Sequence, residues 1–220
     1  GLKPQRGRVS MAPTVGEQFL ACEGVLTRTV RETALALDLL AGPEPGDASW
    51  APPPAEPFAA AAARAPGRLR IGLCLGTPLP DVEPQPACAD AAREAAALLE
   101  ELGHTVEEIE PPFRNAEMLR TFTAVFGPMV CAQASVAALM TGREPTLDDV
   151  ERLTHWLWET CRGIDSITAY GALVQCQAVG RQIVAWSAPY DAVLTPALAE
   201  LPVPIGTLDP DGEDPEATFA

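Results

Sequence analysis

Apolar residues recur at helical spacing soon after the start of the chain, following a Gly-, Pro- and Arg-rich stretch (residues 1–15) that predicts a loop with room for a short strand. The apolar positions, three or four residues apart, are Val30, Ala34, Leu37 and Leu40. Thr27 or Thr29 can cap the N-terminus, and Gly42-Pro43 supplies a stop signal. The pattern therefore predicts a helix between these threonines and Gly42.

Residues 43–67 contain seven prolines among glycines and alanines. Because proline lacks a backbone donor and fixes its own backbone angle, this composition disfavours both a helix and a central strand. We expect an extended connector across the surface, with Trp50 and Phe58 as its anchors.

Residues 69–110 predict a βαβ unit. Residues 69–75 (LRIGLCL) have the continuous apolar character of a buried strand, and residues 105–109 (TVEEI) alternate as a second strand. Between them an Ala-, Leu- and Glu-rich helix spans residues 86–102 and ends at Gly103. Strand, helix and strand at this spacing give parallel strands with a right-handed crossover, and so an α/β fold.

Residues 115–187 form a predicted helical region. The first helix covers residues 115–140, where Gly127-Pro128 should break or kink it. The pair Thr146 and Asp149 resembles a capping box and predicts a second helix that runs to about Arg162.

Ser166 is predicted to cap a third helix that ends near Trp186. Residues 190–196 then predict a short strand that carries Thr195 at its C-terminal end. The Pro-, Gly- and acid-rich residues 202–220 predict no packed element. In particular, the acidic cluster 209–214 predicts a solvated loop, because its Gly and Pro positions do not fit a calcium-binding loop. The acids Asp148, Asp149 and Glu151 are expected in the first turn of the second helix, where they stabilise the helix dipole.

Charge and composition narrow the function classes. The net charge of −15, from 15 Lys and Arg against 30 Asp and Glu, disfavours nucleic-acid binding because it repels phosphates. The apolar runs are interrupted too early for a membrane span, and the chain opens without a signal-peptide pattern, so a soluble cytoplasmic protein is expected.

Candidate reactive side chains do not form a recognisable set. The six cysteines are spread along the chain without a C-x-x-C pair, which indicates buried reduced thiols and no metal site. His104 and His155 lie on different predicted elements, and no G-x-S-x-G turn accompanies them. The residues alone therefore support an acidic α/β protein without an identifiable active site.

Four segments, in the correct order, resemble the amidase signature family. Residues 1–10 (GLKPQRGRVS) are similar to the stretch that follows the serine- and glycine-rich signature of these hydrolases, and residues 24–47 match the next one, with Val25 and Glu32 as departures. Residues 67–72 and 190–196 are similar to later family segments. Within the family the sequence is most similar to bacterial aryl and aliphatic amidases and to hydrolases of the 6-aminohexanoate-cyclic-dimer type. These residues do not distinguish between those subtypes.

This resemblance implies an α/β/α sandwich with a mixed central sheet, incomplete in this chain, in a partial amidase domain over residues 1–220. It also implies hydrolysis of a small-molecule amide by a Ser nucleophile, a cis-Ser proton relay and a Lys base, without metal or cofactor. The triad would precede Gly1, since the five serines of the chain include no pair and Lys3 lies in the trailing motif. We therefore expect a chain that is an internal piece and inactive alone.

The resemblance also suggests where substrate binds. The helices after the βαβ unit and the end of the last strand face the cleft in this architecture, which predicts an acyl or amine pocket lined by Phe122, Phe126, Trp156 and Thr195. As an alternative, the aromatic side chains simply fill the core, as apolar residues at helical spacing usually do. A noncatalytic scaffold or a small-molecule-binding protein of the same fold stays open as a second function, and the sequence leaves a homodimer open as well.

Overall fold

A computed structural model describes residues 1–12, 21–112 and 114–219. They fall into two compact units, residues 1–67 and the chain from residue 68 onward, which are described separately below. Residues 13–15 of the predicted N-terminal loop and Ala220 of the predicted tail lie outside the described residues.

The first unit is built on the predicted helix, α1 (Val30–Leu40). Its N-cap is Thr29, which forms a complete capping box: the Thr29 hydroxyl accepts from the Glu32 N–H at 3.2 Å, and the Glu32 carboxylate accepts from the Thr29 N–H at 3.0 Å. Ala34 and Leu37 form its buried face. A short strand was expected before α1. In its place the structure has isolated β-bridges from Val9 to residues 41 and 42.

The Pro-rich connector contains a helix that the sequence analysis did not predict, α2 (Phe58–Ala63). Five consecutive alanines follow Phe58, and alanine has the highest helix propensity. The Asp38 carboxylate accepts from the N–H groups of Phe58 at 2.6 Å and Ala59 at 2.9 Å, so α1 caps α2. Phe58 is half-buried beneath the Arg8 guanidinium, whereas Trp50 is 57% exposed and is not an anchor.

The second unit contains a three-stranded, wholly parallel sheet in the order β2-β1-β3. Its strands are β1 (Arg70–Leu73), β2 (Thr105–Glu108) and β3 (Ala192–Leu194). The helix α3 (Pro86–Glu101) connects β1 to β2, as a parallel crossover requires. The predicted α/β class is confirmed, and the carboxyl ends of all three strands meet at one edge.

α3 packs on the sheet through a face of alanines. Ala92 and Ala96 lie against Leu73 in a buried cluster, to which partly buried neighbours contribute from all three strands or their ends. Those neighbours are Leu75, Val106 and Leu194. Small side chains let the helix approach closely, which buries β1 on its inner face.

Three long helices follow the βαβ unit: α4 (Met118–Thr141), α5 (Arg152–Cys161) and α6 (Ser166–Ser187). α4 packs against both of the others. The predicted break or kink at Gly127-Pro128 is not a break, since the helix is continuous over 24 residues with Pro128 inside it. By length and composition α4 could cross a bilayer, which the sequence analysis did not expect, and 17% of its apolar window is buried in the structure.

Two predicted helix starts were wrong, the first by about five residues and the second by one. α5 begins at Arg152, so the acids predicted in its first turn lie before the helix. Asp148 and Asp149 precede it, and Glu151 is its N-cap residue but makes no side-chain capping bond. The Asp149 carboxylate does accept from the Thr146 N–H at 2.9 Å, but this contact closes a turn. The cap of α6 is Asp165, whose carboxylate accepts from two backbone N–H groups of the first turn.

The acidic tail is not a free loop. The Leu153 N–H donates to the Pro210 carbonyl at 2.8 Å, and the Arg152 N–H donates to the Asp211 carboxylate at 2.9 Å. A short helix, α7 (Pro215–Phe219), then packs on α5. The sequence analysis missed this packing because the tail bonds to residues almost 60 positions away, and no local pattern reveals such contacts.

Candidate functional site

The three aromatic residues predicted to bind substrate lie together on α4 and α5. The rings of Phe122 and Phe126 stack with centroids 5.4 Å apart. Phe219 of α7 joins them to Trp156, with centroids 6.5 Å from Phe126 and 5.7 Å from Trp156. Phe126, Trp156 and Phe219 also pack against a buried cluster of Cys131, Leu157, Trp158 and Cys161.

This aromatic cluster is continuous with the core, so packing explains part of its composition. Its rings are nonetheless half-buried rather than sealed. Sequence reasoning missed Phe219, and the available signal was a large aromatic residue in an otherwise small and polar tail.

Thr195 lies at a different place, in a cavity of about 370 Å³ at the carboxyl ends of β1 and β3. This cavity, the sheet-edge pocket, is lined by the loops that follow the two strands and by Trp186 near the end of α6. Sequence reasoning missed Trp186 and Cys74, although the carboxyl end of a parallel strand is where α/β proteins commonly bind ligands.

The two histidines have no acid–base partner among the residues that the structure describes. His104 Nδ1 accepts the Leu69 N–H at 3.1 Å and so fixes the start of β1 to the turn before β2. His155 is half-buried in α5. The contact with Leu69 therefore supports a structural role for His104.

Several serine hydroxyls are occupied by local bonds. Ser10 donates to the Asp47 carboxylate at 3.0 Å, Ser135 donates to the Cys131 carbonyl at 2.8 Å, and Ser187 donates to a helix carbonyl. Lys3, the single lysine of the chain, donates to Cys22 Sγ at 3.3 Å. None of these contacts pairs a serine with a lysine or histidine base.

Burial raises the pKa of the thiols of Cys74, Cys131, Cys161 and Cys176, because a thiolate loses its hydration there. These thiols stay neutral and act as small apolar groups. In the described ranges no three His, Cys, Asp or Glu side chains are grouped so that they could hold a metal ion.

The fold is that of an α/β protein with a cavity at the carboxyl edge of a parallel sheet. The family model described as Amidase matches residues 1–219, so the chain belongs to the amidase family.

Curated relatives agree with this assignment. The chain is 33% identical over 217 residues to the 6-aminohexanoate-cyclic-dimer hydrolase of Paenarthrobacter ureafaciens, and equally similar to the enzyme of that name from Pseudomonas sp. (strain NK87). Both alignments cover 94% of this chain but 43% of the relative. The chain thus spans less than half the length of the curated relatives it matches.

Solved structures show the same fold. The 6-aminohexanoate cyclic dimer hydrolase complexed with substrate superposes with a TM-score of 0.82 at 27% identity, over 94% of this chain and 44% of that one. A bacterial aryl acylamidase of the amidase signature family superposes with a TM-score of 0.79 at 25% identity, over 96% of this chain and 44% of that one. The small size of the sheet fits this partial coverage.

Proposed function

We propose that the complete protein hydrolyses the carbon–nitrogen bond of small-molecule amides. The observation that carries the proposal is the family match over residues 1–219, and the fold shared with an amide hydrolase complexed with its substrate supports it.

The proposed mechanism uses a serine nucleophile, a cis-serine and a lysine, all in a segment that precedes Gly1. The neutral lysine takes the nucleophile's proton through the bridging hydroxyl while Oγ attacks the carbonyl carbon. The C–N bond breaks, the amine leaves with a proton, and water then cleaves the acyl-enzyme. No cofactor takes part.

Two facts about the described residues support that placement. The serine hydroxyls named above donate to a carboxylate or to helix carbonyls, and Lys3 contacts a thiol. The proposed mechanism needs a serine linked to a lysine base through a second hydroxyl, and these contacts link no serine to Lys3. The 220 residues are therefore proposed to bind and shape the substrate and to be inactive alone.

Phe122, Phe126, Trp156 and Thr195 are proposed to contact the substrate. Truncating Phe122 to Ala should raise KM with little change in kcat, because the ring contacts ground and transition state alike. Phe58→Ala in the first unit is the matched control.

The test is to assay the complete gene product for ammonia or amine release from hexanamide and acetanilide. We expect turnover that is abolished when the proposed serine nucleophile is changed to Ala, and none from the 220 residues alone. A complete product that folds but releases no amine from any simple amide would instead favour a noncatalytic scaffold or binding protein. A cytoplasmic location and a homodimer remain predictions.

A further inference from the structure

Two stretches of the first unit, residues 1–4 and residues 22–26, lie side by side. A Cβ on Gly24 would be 3.3 Å from Pro4 Cδ and 3.4 Å from the Leu2 carbonyl oxygen, closer than most side chains pack. Because glycine has no side chain, the two backbones can approach to this distance. The close approach brings side chains of the first stretch within reach of those of the second.

Lys3 and Cys22 meet across this contact. The Lys3 ammonium group donates to Cys22 Sγ at 3.3 Å. Lys3 is exposed and Cys22 is half-buried, and both line a cavity of about 400 Å³ between the two stretches. Lys3 is also the single lysine of the chain. A primary amine and a thiol are therefore held within hydrogen-bond distance at a place that a small solute can reach.

The setting of Cys22 differs from that of the buried thiols. Cys74 and Cys131 donate to backbone carbonyls, and burial raises the pKa of both thiols. Peroxides react with the thiolate of accessible cysteines, so these two thiols are poor targets. Cys22 is not sealed from solvent, and its sulfur accepts a hydrogen bond from a cation. It is therefore the better target for oxidation.

We propose that Lys3 and Cys22 form a peroxide-sensitive pair, which oxidation joins by a covalent N–S bond. Hydrogen peroxide transfers one oxygen atom to the Cys22 sulfur, which gives a sulfenic acid, and is itself reduced to water. The neutral Lys3 amine then attacks the sulfur. The N–S bond forms, the S–O bond breaks, and the oxygen leaves as water with a proton from the amine. The product is a sulfenamide, which a thiol reductant cleaves to restore both side chains.

The amine beside the sulfur decides the fate of the sulfenic acid. A sulfenic acid that meets no nucleophile is open to further oxidation to the sulfinic acid, which is not reversed by thiols. Condensation with Lys3 removes the sulfenic acid first, so the oxidation of Cys22 stays reversible. The new bond also ties residues 1–4 covalently to residues 22–26. This inference is independent of the proposed function.

The test is to treat the folded complete gene product with hydrogen peroxide, block the free thiols, and map its tryptic peptides by mass spectrometry without reductant. Trypsin cuts after Arg6 and Arg8, which lie between the two residues, so their peptides stay together only through a new bond. We expect joined Lys3 and Cys22 peptides, lighter by two hydrogen atoms than the separate peptides together. They should be absent before peroxide and should separate in dithiothreitol.

Lys3→Arg is the matched variant, because it keeps the positive charge and removes the primary amine. It should abolish the joined peptides, and dimedone, which labels sulfenic acids, should label Cys22 several-fold more than in the unsubstituted protein. Cys88→Ser removes another half-buried thiol, on α3, and should leave the joined peptides unchanged.

Two results would overturn the inference. One is a Cys22 that peroxide leaves as the free thiol, or carries to the sulfinic acid while Lys3 stays unmodified, in the unsubstituted protein. The other is equal dimedone labelling of Cys22 in the unsubstituted protein and in Lys3→Arg, which would show that the amine does not trap the sulfenic acid.

Discussion

At the scale of single residues, Gly127 sets how closely α4 and α5 approach. A Cβ at this position would lie 2.3 Å from Cys161 Sγ and 2.6 Å from Cys161 Cβ, far inside contact distance. Cys161 is 2% exposed and belongs to the core between the two helices, so it has little room to move. The glycine predicted to weaken α4 is therefore what its packing requires.

Gly127→Ala should lower the free energy of unfolding by about 1–3 kcal/mol, as overpacking of a core does. Gly180→Ala in α6 is the matched control, because a Cβ there meets no atom within 4 Å. Gly180→Ala should raise the free energy of unfolding by about 0.5–1 kcal/mol, because alanine has a higher helix propensity than glycine. Urea unfolding of the two variants measures both, and equal effects of the two substitutions would contradict the close approach.

Asp149 is the centre of an exposed network. Its carboxylate accepts from both terminal nitrogens of Arg143, at 2.5 and 2.6 Å, and from the Thr146 N–H and hydroxyl. The Arg143 guanidinium and these hydrogen bonds hold the pKa of the carboxyl well below its usual range.

Because the folded pKa of Asp149 is depressed, the unfolded state binds more protons at acid pH. Its contribution to stability is present above the unfolded pKa of about 4 and is lost as pH falls towards the folded value. Asp149→Asn should lower the melting temperature at pH 7 and reduce its fall between pH 5 and pH 2. Asp148→Asn is the neighbouring control, and an identical pH profile for the two variants would refute the network.

At the scale of elements, α5 is capped from a distant segment. Its own N-cap residue, Glu151, makes no side-chain cap, and the Asp211 carboxylate accepts the first N–H of the helix instead, at 2.9 Å. The negative charge also lies at the positive end of the helix dipole. The acidic tail thereby holds α7, and with it Phe219, against α5.

Asp211→Ala should destabilise the fold by about 1 kcal/mol, the usual cost of a lost N-cap. Glu213→Ala removes a nearby acid for which the structure shows no bond, and should be neutral. Amide hydrogen exchange at Arg152 and Leu153 measures the local effect. Protection that is unchanged in Asp211→Ala would show that the tail does not cap the helix.

At the scale of the whole molecule, many large apolar side chains are exposed. Leu139 and Met140 on α4 are 84% and 85% exposed, and Ile167 on α6 is 84% exposed. In the described sheet, β2 and β3 are edge strands with one paired neighbour each. Exposed apolar patches and open edges favour association.

The 220 residues expressed alone are therefore expected to self-associate, and the complete gene product to be monodisperse. Size-exclusion chromatography with light scattering compares the two, and a dye that binds apolar surface should report more binding sites on the shorter chain. A monodisperse 220-residue product with one cooperative unfolding transition would contradict this expectation.

Much of the architecture could be predicted because its signals are local. The apolar spacing around Leu37, the threonine cap of α1 and the strand–helix–strand pattern around α3 need only neighbouring residues to be recognised. Of the predicted substrate contacts, three aromatic residues do lie together and Thr195 lines a cavity, but their role in binding stays a prediction.

The sequence by itself determined the α/β class, the order of most elements and the family resemblance, since periodicity, caps and short motifs are properties of adjacent residues. Only the tertiary structure decided that Asp211 caps α5, that Gly127 fits against Cys161, and that Thr195 and Trp186 share one cavity. These pairs are separated in sequence but adjacent in space, and packing alone fixes which distant side chains meet.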